Sequence, residues 1–484
     1  MSSIEEIRAE RLKKLSLLQE RGHSAYPATS ARTHTIGDIL TSYDSLVEKG
    51  TAITLAGRVL IIRGQGSILF TDIQDATGKF QAVLKSDVLS EESFTLFKNA
   101  IDGGDFIEVT GTLFTTEKGQ KSVLVSAWKV LTKSLLPLPD KFHGLQNEEE
   151  RFRKRYLDLL TRDDLRALFV RKEKFWETTR SFMKERGFME VETPTLELTT
   201  GGAEARPFKT HHNDFDIDVF LRISVGELWQ KRLLSAGFEK TFEIGRVYRN
   251  EGTSPEHLQE FTNMEFYWAY VNYEEGMKLV QELYRTIAKQ VYGTTAFTYK
   301  NHSFDLADEW ARIDYVEEIK KQTGIDVITA TEADLAAKLT ELGVTYEGEN
   351  RERLTDTLWK YCRKNISGPA FLVGHPKLVA PLAKSKEGSD VVEMFQPLIA
   401  GSEVGRGYSE LNDPIDQRER FNAQRALIEA GDEEAMMSDY EFVEMLEHGM
   451  PPTCGFGFGE RLFAILENKP LRETQLFPLM RPRE

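Results

Sequence analysis

The segment from Phe242 to Tyr270, FEIGRVYRNEGTSPEHLQEFTNMEFYWAY, restricts what this chain can fold into more than any other stretch. Two runs of strand-like composition flank a polar loop with Gly252, Ser254 and Pro255, which predicts an antiparallel hairpin. Strand side chains alternate between faces, so the first run sets Arg249 and Glu251 together. By the same count Phe261, Glu265 and Tyr267 share one face of the second run. A guanidinium, two carboxylates, an aromatic ring and a phenol then line a single surface. That load suits a ligand carrying both phosphate and an amine; the other reading is a solvated face of exposed ion pairs.

Composition narrows the class. With 40% hydrophobic and 29% charged residues, the 484 residues are those of an ordinary globular chain long enough for two or three domains. No apolar run nears the length that crosses a bilayer, and MSSIEEIRAERLKKL has no apolar signal core. No membrane association and a cytoplasmic location are therefore expected. Two cysteines, Cys362 and Cys454, indicate neither a disulfide framework nor a zinc site. The 62 basic and 77 acidic residues leave a net charge of −15, unfavourable by itself for nucleic acid but silent on a local basic surface.

Residues 1–50 read as an N-terminal helical segment, in which Ile7, Leu12, Leu15 and Leu18 approximate an apolar stripe ahead of Gly22. Residues 51–136 change to short β-rich runs such as GKFQAVLK with turn residues at close intervals, interrupted by the helical SFTLFKNAIDGGD. This is the layout of an OB-fold barrel. OB-folds stack bases on aromatic rings and pair base edges with polar side chains. Phe70 and Gln81 suit those roles, although a strand Phe is also a natural core residue. Residues 137–165 form a Pro-marked linker. Residues 166–484 mix helices and strands, with TEADLAAKLTELGV and RERLTDTLWKYCRK marking a helical insertion at about 305–368.

Three motifs bring in a family. R-N-E (249–251 being Arg-Asn-Glu), a short loop, then H-x-x-E-F and M-E-x-Y closely resemble motif 2 of class II aminoacyl-tRNA synthetases, in the lysyl-tRNA synthetase version. FMEVETPTL (188–196) resembles motif 1, with Pro194 as its proline, and GFGFGERLFAIL (455–466) resembles motif 3. The resemblance covers nearly the whole chain. It implies an α+β protein: an N-terminal OB-fold β-barrel for anticodon binding, then a catalytic domain on an antiparallel sheet with flanking helices. It further implies a lysine–tRNA ligase acting on L-lysine, ATP and tRNA(Lys), and a homodimer through motif 1 around Pro194.

The implied reaction joins the lysine carboxylate to the α-phosphate of ATP, and then a ribose hydroxyl of the tRNA 3′ end attacks the adenylate. Such chemistry needs positioning and charge neutralisation rather than a protein nucleophile. The resemblance gives Arg249 the lysine carboxylate and α-phosphate, Glu251 the adenine amino group, and Phe261 and Arg461 the two faces of the adenine. His257 would lie near the terminal phosphates, and Gly455, Gly457 and Gly459 let backbone approach closely. Lysine would be held by Glu265 and Glu410 at its side-chain amine, with Tyr267 and Tyr408 alongside, by Glu227 at its α-amine, and under the loop of Gly202. Arg58, Phe70 and Gln81 match the anticodon-binding positions. Two acids at the end of the pocket favour lysine over aspartate or asparagine, since a buried cation needs partners.

Several positions depart from the family pattern. Glu403 matches a carboxylate that binds Mg²⁺, but its partner acid is Gln396, a poorer ligand, so fewer ions are expected. Arg406 stands where Asn is usual and is expected to pair with Glu403 or Glu410. Glu256 replaces an Arg thought to touch the γ-phosphate, a contact either lost or taken over by another base such as His257. The run Ser224 to Glu227 is one residue longer than usual and motif 3 one shorter. Strict alternation puts Glu403 and Glu410 on opposite faces, which requires a bend at Gly405 or Gly407. His211 and His212, without further ligands at metal spacing, are expected to be structural. Rival readings are a ligase that adds lysine to a protein, which in this family lacks the anticodon domain, and a non-catalytic paralogue, which loses ATP-site residues.

Overall fold

Short alternating strands curl on themselves in the first of two compact units, Met1–Thr161 and Arg162–Glu484. The computed structural model describes all residues except 1–2, 140–143, 204, 253–256, 347–349, 378–379, 430–435 and 484, together with the side chain of Gln65. Ser254, Pro255 and Glu256 thus lie outside the described residues.

In the first unit, helices α1 (Ile4–Glu20) and α2 (Ile36–Lys49) precede strands β1 (Ile53–Gln65), β2 (Ile68–Gln74) and β3 (Lys79–Lys85). Helix α3 (Glu91–Ala100) leads into β4 (Phe106–Thr115) and β5 (Lys121–Thr132). The strands close a barrel in the order β1-β2-β3-β5-β4, as expected of an OB-fold. Its interior takes one side chain in two: on β2, Leu69, Thr71 and Ile73 are buried while Phe70, Asp72 and Gln74 are not. The stripe expected on α1 is corrected in part. Leu18 is buried and Leu15 packs against the core as expected, but Leu12 is exposed, and Arg11, outside the expected stripe, is buried. The Arg11 guanidinium is sunk among backbone carbonyls, donating to those of Gly103, Ser134 and Leu136 at 2.9–3.1 Å.

The second unit is built on a nine-stranded sheet. Its elements are helix α4 (Asp163–Glu185), β6 (Met189–Glu190), α5 (Glu227–Ser235), β7 (Lys240–Tyr248), β8 (Glu260–Ala269) and α6 (Tyr273–Ile287). There follow β9 (Ala311–Asp314), α7 (Tyr315–Thr323), α8 (Glu332–Glu341), α9 (Arg351–Cys362), β10 (Ala370–Val373) and β11 (Met394–Ile399). The last are β12 (Ser402–Glu403), β13 (Arg406–Ser409), β14 (Thr453–Gly459) and α10 (Arg461–Leu466). The strand order is β9-β10-β11-β13-β14-β8-β7-β6, with β12 paired to β11. The middle is antiparallel as expected. The outermost pairs, β9/β10 and β6/β7, are parallel, because each is joined through helices rather than a hairpin.

Alternation then divides the labour of the sheet. Phe266 on β8 and Phe456 and Phe458 on β14 turn toward α4 and α6, packing with Phe175, Phe182 and Tyr284 in the main core. Glu265, Tyr267 and the glycines of β14 occupy the opposite face. Helices α7 to α9 gather Ile319, Leu335, Leu358 and Trp359 into a core of their own, which reaches Leu372 and Leu398 of the sheet. The stretch 305–368 is therefore not wholly helical, since β9 within it is a sheet strand.

Candidate active site

The β7–β8 hairpin forms in register, with Val247 opposite Phe261 and Glu243 opposite Glu265. Strand β7 stops at Tyr248, so Arg249 and Glu251 are not strand neighbours, which corrects the simple alternation argument. A backbone bond from Arg249 N to Gln259 O (2.8 Å) carries the chain one step further, and both side chains still reach the cavity of the sheet face. That cavity, about 310 Å³, also receives His257, Phe261, Glu265 and Tyr267 of the hairpin, Gly202 and Glu227, Glu403, Tyr408 and Glu410, and Gly455, Gly457, Gly459 and Arg461. Every candidate residue of the second unit is brought together there.

Three buried carboxylates share this cavity. Glu265 accepts from Val225 N (2.8 Å) and Asn263 Nδ2 (3.0 Å) on one oxygen and from Tyr267 Oη (3.0 Å) on the other. Its partners are all neutral. Burial, reinforced by the charge of Glu227, pushes its carboxyl up to about 7. Glu227, the first residue of α5, accepts from Tyr408 Oη. Glu410 is pushed up to about 8 by burial, against the pull of Lys231. The Lys231 ammonium lies 2.7 Å from Glu227 Oε1 and 2.5 Å from Glu410 Oε2. The cation on Glu410 is thus Lys231, where Arg406 had been one expected partner.

Backbone geometry explains the glycines. Gly202 has φ +87°, and a Cβ there would lie 2.6 Å from Glu227 Oε2. The run Ser224 to Glu227 turns at Gly226, φ +67°, which presents Val225 N to Glu265 and starts α5 at Glu227. On β14 a Cβ at Gly455 would sit 2.0 Å from Glu410 Oε1, and one at Gly457 would sit 2.8 Å from Glu265 Cγ. The sheet is left bare so that its neighbours' acids can lie across it. The bend required between Glu403 and Glu410 falls between β12 and β13, at Val404 and Gly405, and restarts the alternation.

Opposite in sign, the guanidiniums of Arg249, Arg406 and Arg461 line the same cavity. Arg249 Cζ stands 5.3 Å from the Phe261 ring centroid, and its Nη2 donates to Ile223 O (3.4 Å). Among the described residues its Nε has no acceptor. Burial lowers its ionisation, opposed by Glu251 and aided by the like charges of Arg461 and Arg406. Arg461, first residue of α10, donates to the backbone carbonyl of Glu403 (3.1 Å). A ring and three cations at one cavity suit a nucleotide polyphosphate.

Glu403 is held by Gln396, which the sequence reading paired with it, and by Trp359, which that reading missed. Trp359 Nε1 donates to its Oε1 (2.5 Å), and Gln396 Nε2 lies 3.4 Å from Oε2. Burial lowers His375 to about 3, so its ring is neutral, and its Nε2 meets Gln396 Oε1 at 2.7 Å. Gln396 therefore turns its amide nitrogen to Glu403 and offers its oxygen to His375. Among the described residues, no three His, Cys, Asp or Glu side chains are grouped to hold a metal. His211 and His212 lie apart, on the exposed ribbon Lys209–His212, facing Asp218 (3.2 Å) and stacked on Phe215 respectively.

Lys231 was also missed, although Glu227 and Lys231 are spaced i,i+4 on a helical pattern, which is a readable signal. Asn263 was readable too, two residues before Glu265 on the same strand face. Trp359 and His375 carried no signal.

In the first unit, Arg58, Phe70 and Gln81 occupy one outer face of the barrel. Arg58 pairs with Gln74, and Asp72 with Gln81, while Phe70 is two residues from Asp72. Phe70 is half-exposed and outside the core cluster. Arg58 Cζ lies 4.2 Å over the Phe106 ring, and Gln81 Oε1 accepts from Ser122 Oγ (2.9 Å).

Residues 147–481 match the family of class II tRNA synthetases (D, K and N). The chain belongs to that family. Residues 53–131 of the synthetase match the OB-fold nucleic acid binding domain. It is 42% identical to the lysine–tRNA ligase of Roseiflexus sp. (strain RS-1), over 99% of this chain and 100% of that one. With the lysine–tRNA ligase of Bacillus subtilis (strain 168) it shares 41% identity over 97% and 96%. With that of Thermotoga maritima (strain ATCC 43589 / DSM 3109 / JCM 10099 / NBRC 100826 / MSB8) the identity is 40% over 99% and 97%.

Proposed function

We propose that this synthetase is a lysine–tRNA ligase. The observation that carries the reading is the buried set Glu227, Glu265 and Glu410, 2–6% exposed, in the cavity that also holds Arg249, Arg406 and Arg461. Acids receive the two amines of lysine; guanidiniums receive its carboxylate and the phosphates of ATP. With the two anions drawn together by Arg249, a carboxylate oxygen attacks the α-phosphorus. The α–β phosphoanhydride bond breaks, pyrophosphate leaves, and lysyl adenylate remains. The hydroxyl at the 3′ end of tRNA(Lys) then attacks the lysyl carbonyl, loses its proton and displaces AMP. Phe261 and Arg461 would hold the adenine between them, Glu251 its amino group, and His257 the terminal phosphates.

Glu403 is the carboxylate in the cavity that would hold Mg²⁺. Bound there, the ion would neutralise phosphate charge. Gln396, with its oxygen turned to His375, presents none to the ion.

Support for tRNA binding comes from Phe70 and Gln81 on the exterior of β2 and β3, the side on which OB-folds bind oligonucleotides, with Arg58 beside them on β1. Phe70→Ala should leave pyrophosphate exchange within about twofold and raise the tRNA KM by about 5- to 100-fold, one stack's worth. Steady-state charging kinetics check this, and an equal loss in both steps would remove Phe70 from the RNA face. A homodimer through the region of Pro194 is supported by the exposure of Met189, Leu196 and Leu198 beside it. Among the described residues no helix is long and apolar enough to cross a membrane, and a cytoplasmic site of action fits a translation enzyme.

ATP–pyrophosphate exchange with each standard amino acid, without tRNA, tests the reading. Exchange driven by lysine supports it. Exchange driven by aspartate or asparagine, or by no amino acid, overturns it.

A further inference from the structure

Lys231 is 1% exposed, and its ammonium contacts two of the three cavity carboxylates. Rings of Tyr267, Tyr408 and Phe442 stand 5.6–5.8 Å from its Nζ. Burial acts against its charge, yet Glu227 and Glu410 outweigh burial and hold it ionised. The chain thus places a lysine side chain of its own beside acids that the lysine–tRNA ligase reading assigns to substrate amines.

Lys231 is thus the cation built into the amino-acid pocket. It offsets the mutual repulsion of Glu227, Glu265 and Glu410, which without it would face one another with no ammonium between them. Resting on that reading of the site, we propose that Lys231 is a positioning residue that sets the charge of the amino-acid pocket. It pulls Glu410 toward its ionised form, against burial and the charges of Glu227 and Glu265, and fixes where Glu410 and Glu227 point.

The surroundings agree. Around Glu410 stand Glu227 and Lys231 from α5, Glu265 and Tyr267 from β8, Tyr408 from β13 and Cys454 from β14, with Arg249 and Arg406 also lining the cavity. Glu265 and Glu410 are raised to about 7 and about 8, so the free pocket holds about one proton near neutrality and gives it up as lysine enters. Because the anionic form of these acids binds the ammonium, lysine kcat/KM falls as pH drops through this range.

The test uses the full-length enzyme, Lys231→Met, and pyrophosphate exchange at lysine concentrations spanning KM from pH 6 to 9. Removing the ammonium raises Glu410 further. The acid limb of lysine kcat/KM should then move up by about one unit or more, a loss of at least about tenfold at pH 7 that recovers at high pH. The ATP KM should stay within about twofold. Calorimetry of lysine binding in buffers of different ionisation enthalpy should count about one proton released near pH 7 by the natural enzyme and about two by the variant. A limb that stays in place, or a loss equal at every pH, overturns the proposal. So does the absence of proton release from the natural enzyme, a measurement that stands even if the variant does not fold. No lysine-dependent exchange by the natural enzyme at any pH is a different failure, of the ligase reading itself.

Discussion

Arg249→Ala should reduce lysine-dependent pyrophosphate exchange by about 10³-fold or more, with little change in Tm. Arg249 lines the cavity with a buried Nε that has no acceptor among the described residues, beside the ring of Phe261 and on the hairpin that also carries Glu265. Two reacting anions repel, and a planar fork that bonds both removes that repulsion where the new bond forms. Arg249→Lys should recover little, because a point charge cannot make two parallel bonds. Stability should change little, since burial and the like charges of Arg461 and Arg406 act against Arg249 while the acids Glu251 and Glu265 act for it. Exchange kinetics with a thermal melt check this. Activity within tenfold of the natural enzyme would remove Arg249 from the reacting centre.

Glu265→Gln should raise the lysine KM by about 10²-fold or more and leave the ATP KM within about threefold. Among the described residues Glu265 is hydrogen-bonded by neutral donors, Val225 N–H, Asn263 and Tyr267, and no cation of the protein is hydrogen-bonded to it, which leaves it free to receive an ammonium. The amide keeps an oxygen for Val225 and Asn263, and Tyr267 Oη can accept from its nitrogen, so the fold survives while the charge is lost. The sign with pH follows. Glu265 is held up to about 7 and is anionic above that value, so lysine binding by the natural enzyme weakens as pH falls through it. The variant should lose that part of the pH dependence. Lysine saturation curves from pH 6 to 9 decide it, and an unchanged KM would place the side-chain amine elsewhere.

Much of the site was legible because it is local. Phe261, Glu265 and Tyr267 share a face by the two-residue repeat of a strand, and the glycines of β14 stand out as residues chosen for bare backbone. The barrel was legible from turn spacing, and so was the position of its strand residues. Whether Phe70 faced in or out was not, since Phe70 and the buried Leu69 are adjacent apolar residues of one strand. Leu12 on α1 failed for a related reason: an amphipathic stripe marks where apolar surface is available, and the packing of the barrel chose Arg11 in its place.

What the amino-acid order determined unaided was the set of repeats and turns, and through them the two units, the hairpin and the residues each strand offers to one side. Those follow from backbone geometry over two to four residues. Tertiary structure alone decided the partners. Tyr408 reaches Glu227 across 181 positions, Trp359 reaches Glu403 across 44, and Lys231 meets Glu410 from another element. It also decided which acids lose water and hold protons near neutrality. Desolvation and charge pairing depend on what the whole fold brings within a few ångströms, and no local pattern records that.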